Sequence, residues 1–144
     1  MKAAATKLLV LDASVAVAWC FEDEATRFTE SVLDLLSAGA EALVPSIWPV
    51  EVANALLIAE RRNRIALAQV TAILQKIAGL PIAVMPIDSD RAFDHILPVA
   101  RQQSLSGYDA AYLELALRQG LPLATLDEQL RRAAKTTGVV LLSN

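Results

Sequence analysis

The chain has 144 residues, of which 55% are apolar and 20% are charged, and its formal net charge is −3. This charge excludes a polycation that holds nucleic acid through counterion release alone, and the length fits a single domain over residues 1–144. The only cysteine excludes an internal disulfide, and glycine and proline interrupt the apolar stretch over residues 77–87, so we expect a cytoplasmic protein without a membrane span.

Helical patterns and short apolar runs alternate along the chain. In chain order the predicted strands are 7–11, 42–44, 83–87, 123–125 and 139–142, and the predicted helices are 14–21, 24–38, 47–62, 66–78, 89–103, 108–119 and 128–136. Glycines follow four of the helical patterns as C-caps, at Gly39, Gly79, Gly120 and Gly138. Because the apolar runs lack alternation and are separated by helices, the sequence predicts an α/β fold with a parallel sheet covered on both faces.

Asp12 ends the first predicted strand, in LLVLDAS. A charged group at the edge of a core is costly unless something compensates it. Three interpretations are open: an N-cap for the next helix, a phosphate-accepting nucleophile, or a metal ligand. Ligands of open α/β sheets bind beyond the carboxyl ends of the strands, which is where Asp12 is predicted to lie.

Three further acids lie near strand ends or helix starts. Glu51, in PSIWPVEVANALLIAERR, has apolar or small neighbours on its helical face and is expected to point inward, with Asn54 as a hydrogen-bond partner. Asp109 occupies the first helical turn of SLSGYDAAYLELALRQG, and Asp127 follows Thr125 after the short strand of PLATLDEQL. A helix cap or compensation of the helix dipole would explain each acid taken singly.

Taken together, the four acids are better explained by one shared site. Crowded carboxylates raise one another's pKa values, and a bound divalent cation reverses this destabilisation. A site made only of oxygen donors suits Mg²⁺ or Mn²⁺, whereas zinc calls for several cysteines and histidines, and this chain has one of each. The residues therefore favour a divalent-metal site.

The segments LVLDAS, PVEVANAL, YDAAYLELA and ATLDEQL resemble, in order and spacing, the PIN-domain ribonucleases, and above all the VapC-type toxins of VapBC toxin/antitoxin pairs. The resemblance spans nearly the whole chain. It implies a three-layer α/β/α sandwich whose mostly parallel sheet has about five short strands. It also implies a Mg²⁺-dependent endoribonuclease that hydrolyses RNA with a metal-activated water, and a cognate antitoxin as partner.

The same resemblance assigns roles to individual residues. The matching catalytic and metal-ligating acids are Asp12, Glu51, Asp109 and Asp127, and the matching supporting hydroxyls are Ser14 and Thr125. Some relatives carry an extra acid after the last motif, whereas Gln129 and Leu130 follow Glu128 here. This difference leaves the choice between one and two metals open.

Two basic clusters are candidate contacts for RNA phosphates or for an acidic antitoxin segment. They are Arg61, Arg62 and Arg64 in one helix-end cluster and Arg131 and Arg132 in the last helix. The high apolar content predicts a homodimer or a bound second protein. The preferred groove for an antitoxin helix or a dimer partner is the middle helix pair, with Leu56, Leu57, Ile65, Leu67, Val70 and Ile73.

Two other functional classes stay open. A receiver or phosphatase domain would use Asp12 as its nucleophile, but the lysine it needs late in the chain, Lys135, is predicted inside a helix. The third class is a scaffold that binds RNA or protein without catalysis. Seven aromatic residues leave little material for base stacking, so RNA selection is expected to rest on shape and backbone. Glu114 is expected to be exposed.

Overall fold

The computed structural model describes residues 6–143, so the first five residues and the last residue of the predicted domain lie outside the described residues. The strands are β1 (Leu8–Leu11), β2 (Glu41–Pro45), β3 (Ile82–Met85) and β4 (Leu123–Ala124). The α-helices are α1 (Ala13–Trp19), α2 (Arg27–Ser37), α3 (Trp48–Arg61), α4 (Leu67–Ala78), α5 (Ser89–Arg91), α6 (Leu97–Gln103), α7 (Gly107–Gln119) and α8 (Glu128–Thr137). A 3-10 helix covers Glu22–Glu24, and a π-helix covers Ala92–Ile96.

The strands form one parallel sheet in the order β3-β2-β1-β4. β1 is central, and Leu9, Val10 and Leu11 are fully buried, as expected of a strand covered on both faces. Helix α7 packs against β1 and β2. The predicted α/β class with a parallel sheet flanked by helices is confirmed. Because every described pairing is parallel, the carboxyl ends of the strands meet at one edge of the sheet.

The predicted fifth strand, residues 139–142, is reduced to a single bridge between Leu123 and Leu141. Leu123 donates its N–H to Val140 O at 2.9 Å and accepts from Leu142 N–H at 2.9 Å. The neighbouring strand β4 has only two residues, so it offers no longer ladder for these residues to join. Four strands therefore replace the five expected within the described residues.

Two helices differ from their predicted course for identifiable reasons: one starts later, and the other is interrupted. Helix α2 begins at Arg27, not at residue 24, because Thr26 and Thr29 cap each other's backbone N–H groups through their hydroxyls at 3.2 and 2.9 Å. The predicted helix over 89–103 is π-helical in its middle. Pro98, one residue after α6 begins, has no N–H to donate to the preceding turn, which accounts for the wider turn there.

The predicted glycine caps are present at the ends of α7 and α8. Gly120 has φ +65° and Gly138 has φ +85°, in the left-handed region that favours glycine. Gly79 also ends its helix but stays right-handed, with φ −84°. The cap positions thus follow from the sequence, whereas the backbone conformation at Gly79 does not.

Glu114 is buried, which contradicts the expectation that it is exposed. Its Oε2 accepts hydrogen bonds from Arg91 Nη1 at 3.1 Å and from Arg118 Nε at 3.2 Å. Two guanidinium groups offset the cost of removing the carboxylate from water, and they link α5 to α7. Across residues 6–143, no helix combines the length and the hydropathy that crossing a membrane requires.

Candidate active site

Asp12 lies at the carboxyl end of β1 and is 5% exposed. Its N–H donates to Ala124 O at 2.9 Å, which ties it to the end of β4. Asp12 stands at the N-cap position of α1, but its side chain makes no capping hydrogen bond. Its Oδ2 accepts instead from Ser14 Oγ at 2.6 Å and from Thr125 Oγ1 at 2.7 Å. The N-cap interpretation therefore does not explain this carboxylate.

The two hydroxyls that bind Asp12 are themselves held in place. Ser14 Oγ accepts from Leu126 N–H at 3.0 Å, and Thr125 Oγ1 accepts from Asp127 N–H at 3.0 Å. Each hydroxyl thus receives a backbone hydrogen bond and donates to the buried carboxylate. This network joins the start of α1 to the segment that follows β4 and orients the Asp12 side chain.

Replacing Thr125 with valine is expected to lower the free energy of unfolding by about 2 kcal/mol, because two hydrogen bonds in a fully buried setting are lost at nearly constant volume. Urea unfolding measures the change. Thr71→Val, which removes the hydroxyl of an exposed threonine in α4, is the matched control. Equal stability of the two variants would show that Thr125 does not hold Asp12.

Glu51 lies in the first turn of α3 and is half-buried, although two of the apolar neighbours from which this was predicted, Val50 and Ile58, are 70% and 39% exposed. Its Oε1 accepts a hydrogen bond from the hydroxyl of Tyr112, a fully buried residue of α7. Asn54, the partner expected from sequence, is exposed. Tyr112 escaped the sequence reasoning, although its position three residues after Asp109 on the same helix face was a usable signal.

Replacing Tyr112 with phenylalanine is expected to lower the free energy of unfolding by about 1.5 kcal/mol, because Glu51 loses a donor while the ring stays in place. Tyr108→Phe on the same helix is the control, since Tyr108 is 65% exposed. Urea unfolding of both variants beside the wild type measures the difference. A loss in the control as large as that in Tyr112→Phe would contradict a specific role for the buried hydroxyl.

Asp109 and Asp127 occupy helix starts. Asp109 lies in the first turn of α7, where its N–H donates to Ser106 Oγ at 3.1 Å. Asp127 is the N-cap of α8, and its Oδ1 accepts from Leu130 N–H at 2.8 Å. The capping interpretation thus holds for Asp127, and it leaves the second carboxylate oxygen of that residue for another ligand.

The acids influence one another electrostatically. The pKa of Asp109 is raised to about 6, first by burial and then by repulsion from Asp127, Asp12 and Glu51. The pKa of Asp12 is raised chiefly by burial, with a contribution from Asp127, and the pKa of Glu51 is raised by burial and by Asp12. Side chains from four separate segments of the chain therefore share one electrostatic environment.

Among residues 6–143, no three histidine, cysteine, aspartate or glutamate side chains are gathered so that they could hold a metal ion. The acids face protein donors instead: Asp12 faces two hydroxyls, Glu51 faces Tyr112, and Asp127 caps α8. The chemistry of the donors nevertheless fits a hard divalent cation. All four are carboxylates, and a cation would relieve the repulsion that raises the pKa of Asp109.

The candidate arginines are divided between the site and other surfaces. Arg131 lies at the site, where its Nη1 donates to Thr125 O at 3.1 Å. Arg64 instead pairs with Asp23 at 2.9 Å and Glu24 at 2.6 Å, and its guanidinium lies 4.0 Å from the ring centroid of Phe21. The remaining three are exposed: Arg61, Arg62 and Arg132.

The PIN domain family matches residues 9–136. Among curated proteins there is no match. PAE2754 from Pyrobaculum aerophilum is 24% identical, with a TM-score of 0.70 over 94% of this chain and 83% of that one. VapBC2 from Rickettsia felis, solved with a DNA fragment from their promoter, is 14% identical (TM-score 0.65, coverage 94% and 97%). VapC20 from Mycobacterium tuberculosis, a toxin that cleaves the sarcin-ricin loop, is 13% identical (TM-score 0.67, coverage 94% and 99%). These solved structures share the fold of this chain.

Proposed function

We propose, from the premise that this chain belongs to the PIN domain family, that it is a divalent-metal-dependent endoribonuclease and the toxin of a type II toxin/antitoxin pair. In this proposal residues 1–144 act as a single PIN domain in the cytoplasm. The observation that carries the proposal is that four acids from different segments of the chain converge. The Thr125 hydroxyl joins Asp12 to Asp127 N–H, and Tyr112, on the helix of Asp109, binds Glu51, and repulsion among these acids contributes to the raised pKa of Asp109. A cluster of this kind is costly unless a cation binds it.

We assign Asp12 and Asp109 as direct ligands of the cation, and Glu51 and Asp127 as ligands directly or through water. Bound Mg²⁺, or Mn²⁺ in its place, would supply an activated water and relieve charge on the scissile phosphate. One of the acids would orient the attacking water. The hydrogen bonds to Asp12 at 2.6 and 2.7 Å support a positioning role for the Ser14 and Thr125 hydroxyls.

RNA is the proposed substrate, and Arg131 is a candidate phosphate contact, since it donates to the carbonyl oxygen of Thr125, whose hydroxyl binds Asp12. The likeness to VapC20, which cleaves the sarcin-ricin loop, supports an RNA target here without identifying it. Arg61, Arg62 and Arg132 are exposed and stay candidate contacts for RNA or antitoxin. The ion pairs of Arg64 with Asp23 and Glu24 make this residue a weaker candidate.

The proposed protein partners are a cognate antitoxin and a second copy of this chain. Of the predicted groove residues, Leu56 and Ile65 are buried, whereas Leu57 and Leu67 are 40% and 70% exposed. An apolar groove lies between α4 and the helices α1 and α2. Its lining includes Trp19, Cys20, Leu33, Ile73, Ile77 and Leu80. Such a groove fits the apolar face of an amphipathic antitoxin helix.

Incubation of total cellular RNA with the antitoxin-free protein tests the proposed activity. Discrete cuts are expected in Mg²⁺ or Mn²⁺ and none in EDTA, and the family resemblance predicts 5′-phosphate and 3′-hydroxyl ends. Ligation-based sequencing identifies both the ends and the target.

Two results would point to the other functional classes. Binding of RNA without cleavage in any metal, by protein that is folded and metal-bound, would favour a non-catalytic scaffold. Labelling of Asp12 by acetyl phosphate would favour a phosphate-accepting domain. Either result would overturn the nuclease proposal.

A further inference from the structure

Helix α7 brings two side chains to the acid cluster, a name we give to Asp12, Glu51, Asp109 and Asp127. Asp109 lies in the first turn of this helix, and Tyr112 follows three residues later. The Tyr112 hydroxyl donates a hydrogen bond to Glu51 Oε1 on α3. Because residues three apart share a helix face, the helix that carries one proposed ligand also carries the donor that binds another.

Tyr112 is fixed in the core, whereas the Glu51 side chain can turn towards water. Tyr112 is fully buried, and its chain neighbours Ala111 and Leu113 are 4% and 0% exposed, so close packing holds the ring in one rotamer. Glu51 is half-buried, and Val50 before it is 70% exposed. A glutamate in such a position has several accessible rotamers. The tyrosine is therefore the fixed member of the pair.

Opposing interactions act on Glu51 within the acid cluster. Burial raises the pKa of Glu51, the hydrogen bond from Tyr112 lowers it, and repulsion from Asp12 raises it again. Burial and repulsion both favour a rotamer that moves the charge into water. The hydroxyl opposes them, because a hydrogen bond to an ionised carboxylate is stronger than one between neutral groups. It therefore favours the ionised, inward-facing carboxylate that a cation requires.

The Tyr112 hydroxyl keeps its proton in this setting and lies close to a second acid. Its pKa is raised by burial, then by the hydrogen bond to Glu51 and by the charges of Asp12 and Glu51, and it is lowered by the N–H of Ala13. Asp12 is the N-cap residue of α1, and Ala13 is the first residue of that helix. The hydroxyl is therefore a permanent donor that lies near acids from two segments of the chain.

We propose that Tyr112 is a positioning residue of the metal site, whose hydroxyl holds Glu51 Oε1 so that Glu51 Oε2 remains available to the cation. This inference rests on the proposed function and adds to it a residue that acts through Glu51. In this role Tyr112 fixes the spacing between a ligand on α3 and a ligand on its own helix, Asp109. The cation then meets carboxylates that are already in place.

A purely structural role for the hydroxyl is the competing interpretation. A buried tyrosine needs a hydrogen-bond partner, and any acceptor would satisfy it. The choice of partner favours positioning, because Tyr112 binds a carboxylate that repulsion from Asp12 drives outward. The two roles differ in what removal of the hydroxyl changes. A structural hydroxyl affects only the free energy of unfolding, whereas a positioning hydroxyl also affects the affinity for the cation.

Titration of the protein with Mn²⁺ in the absence of RNA, followed by the electron paramagnetic resonance signal of the free ion, gives the Kd. Tyr112→Phe keeps the ring and removes only the hydroxyl, and it is expected to weaken Mn²⁺ binding about tenfold. In a Glu51→Ala background the same substitution is expected to leave the Kd unchanged, since the hydroxyl then has no ligand to hold. Val32→Ala, at a 1% exposed residue of α2, is the control and is expected to lose stability in urea at an unchanged Kd.

Three results would overturn the inference. The first is an unchanged Kd in Tyr112→Phe, which would make the hydroxyl structural. The second is tighter binding by this variant, which would show that the hydroxyl draws Glu51 away from the cation. The third is an equal weakening in the Glu51→Ala background, which would mean that Tyr112 acts through another group. If the wild type binds Mn²⁺ and cleaves RNA while any of these is found, only the role of Tyr112 fails. If the wild type does not bind Mn²⁺, the proposed metal-dependent function fails with it.

Discussion

Asp109→Asn is expected to reduce RNA cleavage by about 100-fold or more, and to make the metal-free protein more stable than the wild type near neutral pH. Both effects come from the same charge. Burial and repulsion from Asp127, Asp12 and Glu51 raise the pKa of Asp109 to about 6, so its ionised form is destabilising in the metal-free fold. An asparagine removes this cost together with one proposed ligand. A loss of activity with a gain of stability distinguishes a functional carboxylate from a structural one.

The pH dependence follows from the direction of this shift. The pKa of Asp109 is about 6 in the fold and has an ordinary value of 3.8, so the native state binds the extra proton between these values. The free energy of unfolding of the wild type is therefore expected to fall as the pH rises from about 4 to about 6. Asp109→Asn lacks the part of this slope that comes from Asp109, whereas Asp12 and Glu51, whose pKa values are also raised, keep their contributions. Above pH 7 the free energy of unfolding of Asp109→Asn is expected to exceed that of the wild type by about 1 kcal/mol, after allowance for solvent screening of a half-exposed group.

Cleavage of total RNA and urea unfolding at several pH values in EDTA measure the two effects. Asp90→Asn, which neutralises an exposed acid in α5, is the control and is expected to change neither. If Asp109→Asn cleaves RNA as fast as the wild type, Asp109 is not part of the active site. Loss of cleavage together with loss of stability would make its role structural.

Mg²⁺ or Mn²⁺ is expected to raise the free energy of unfolding of the wild type, by about 2.7 kcal/mol at about 100 times its Kd. The cation neutralises carboxylates that repel one another in the metal-free fold, and the unfolded chain does not hold them together. EDTA is expected to reverse the gain. The gain measured in the wild type is expected to be largely lost in Asp12→Asn and Asp109→Asn.

Urea unfolding with and without the cation measures this stabilisation, with K⁺ at equal ionic strength to separate binding from screening. Glu128→Gln is the matched control, because Glu128 is an exposed acid directly after Asp127. It is expected to keep the full gain. Equal stabilisation of the wild type and the two asparagine variants would place the cation elsewhere on the protein.

Most of the element order follows from local sequence patterns. The apolar run before Asp12 becomes the central strand β1, and the glycines at 120 and 138 end helices in the left-handed region. The positions of Asp109 at a helix start and of Asp127 at a helix cap could also be predicted from nearby residues. Each of these features depends on the residue and its near neighbours, so a pattern of a few residues is enough to predict it.

The side-chain partners were decided by tertiary packing. The hydrogen bond from Tyr112 to Glu51 joins residues 61 positions apart, and that from Thr125 to Asp12 joins residues 113 positions apart. Glu114 is buried because Arg91, 23 positions earlier, docks beside it. No pattern within one helix contains this information. The sequence shows which segments carry acids, but only the docking of α3, α7 and β4 around β1 determines which donor each acid faces and how strongly the acids repel one another.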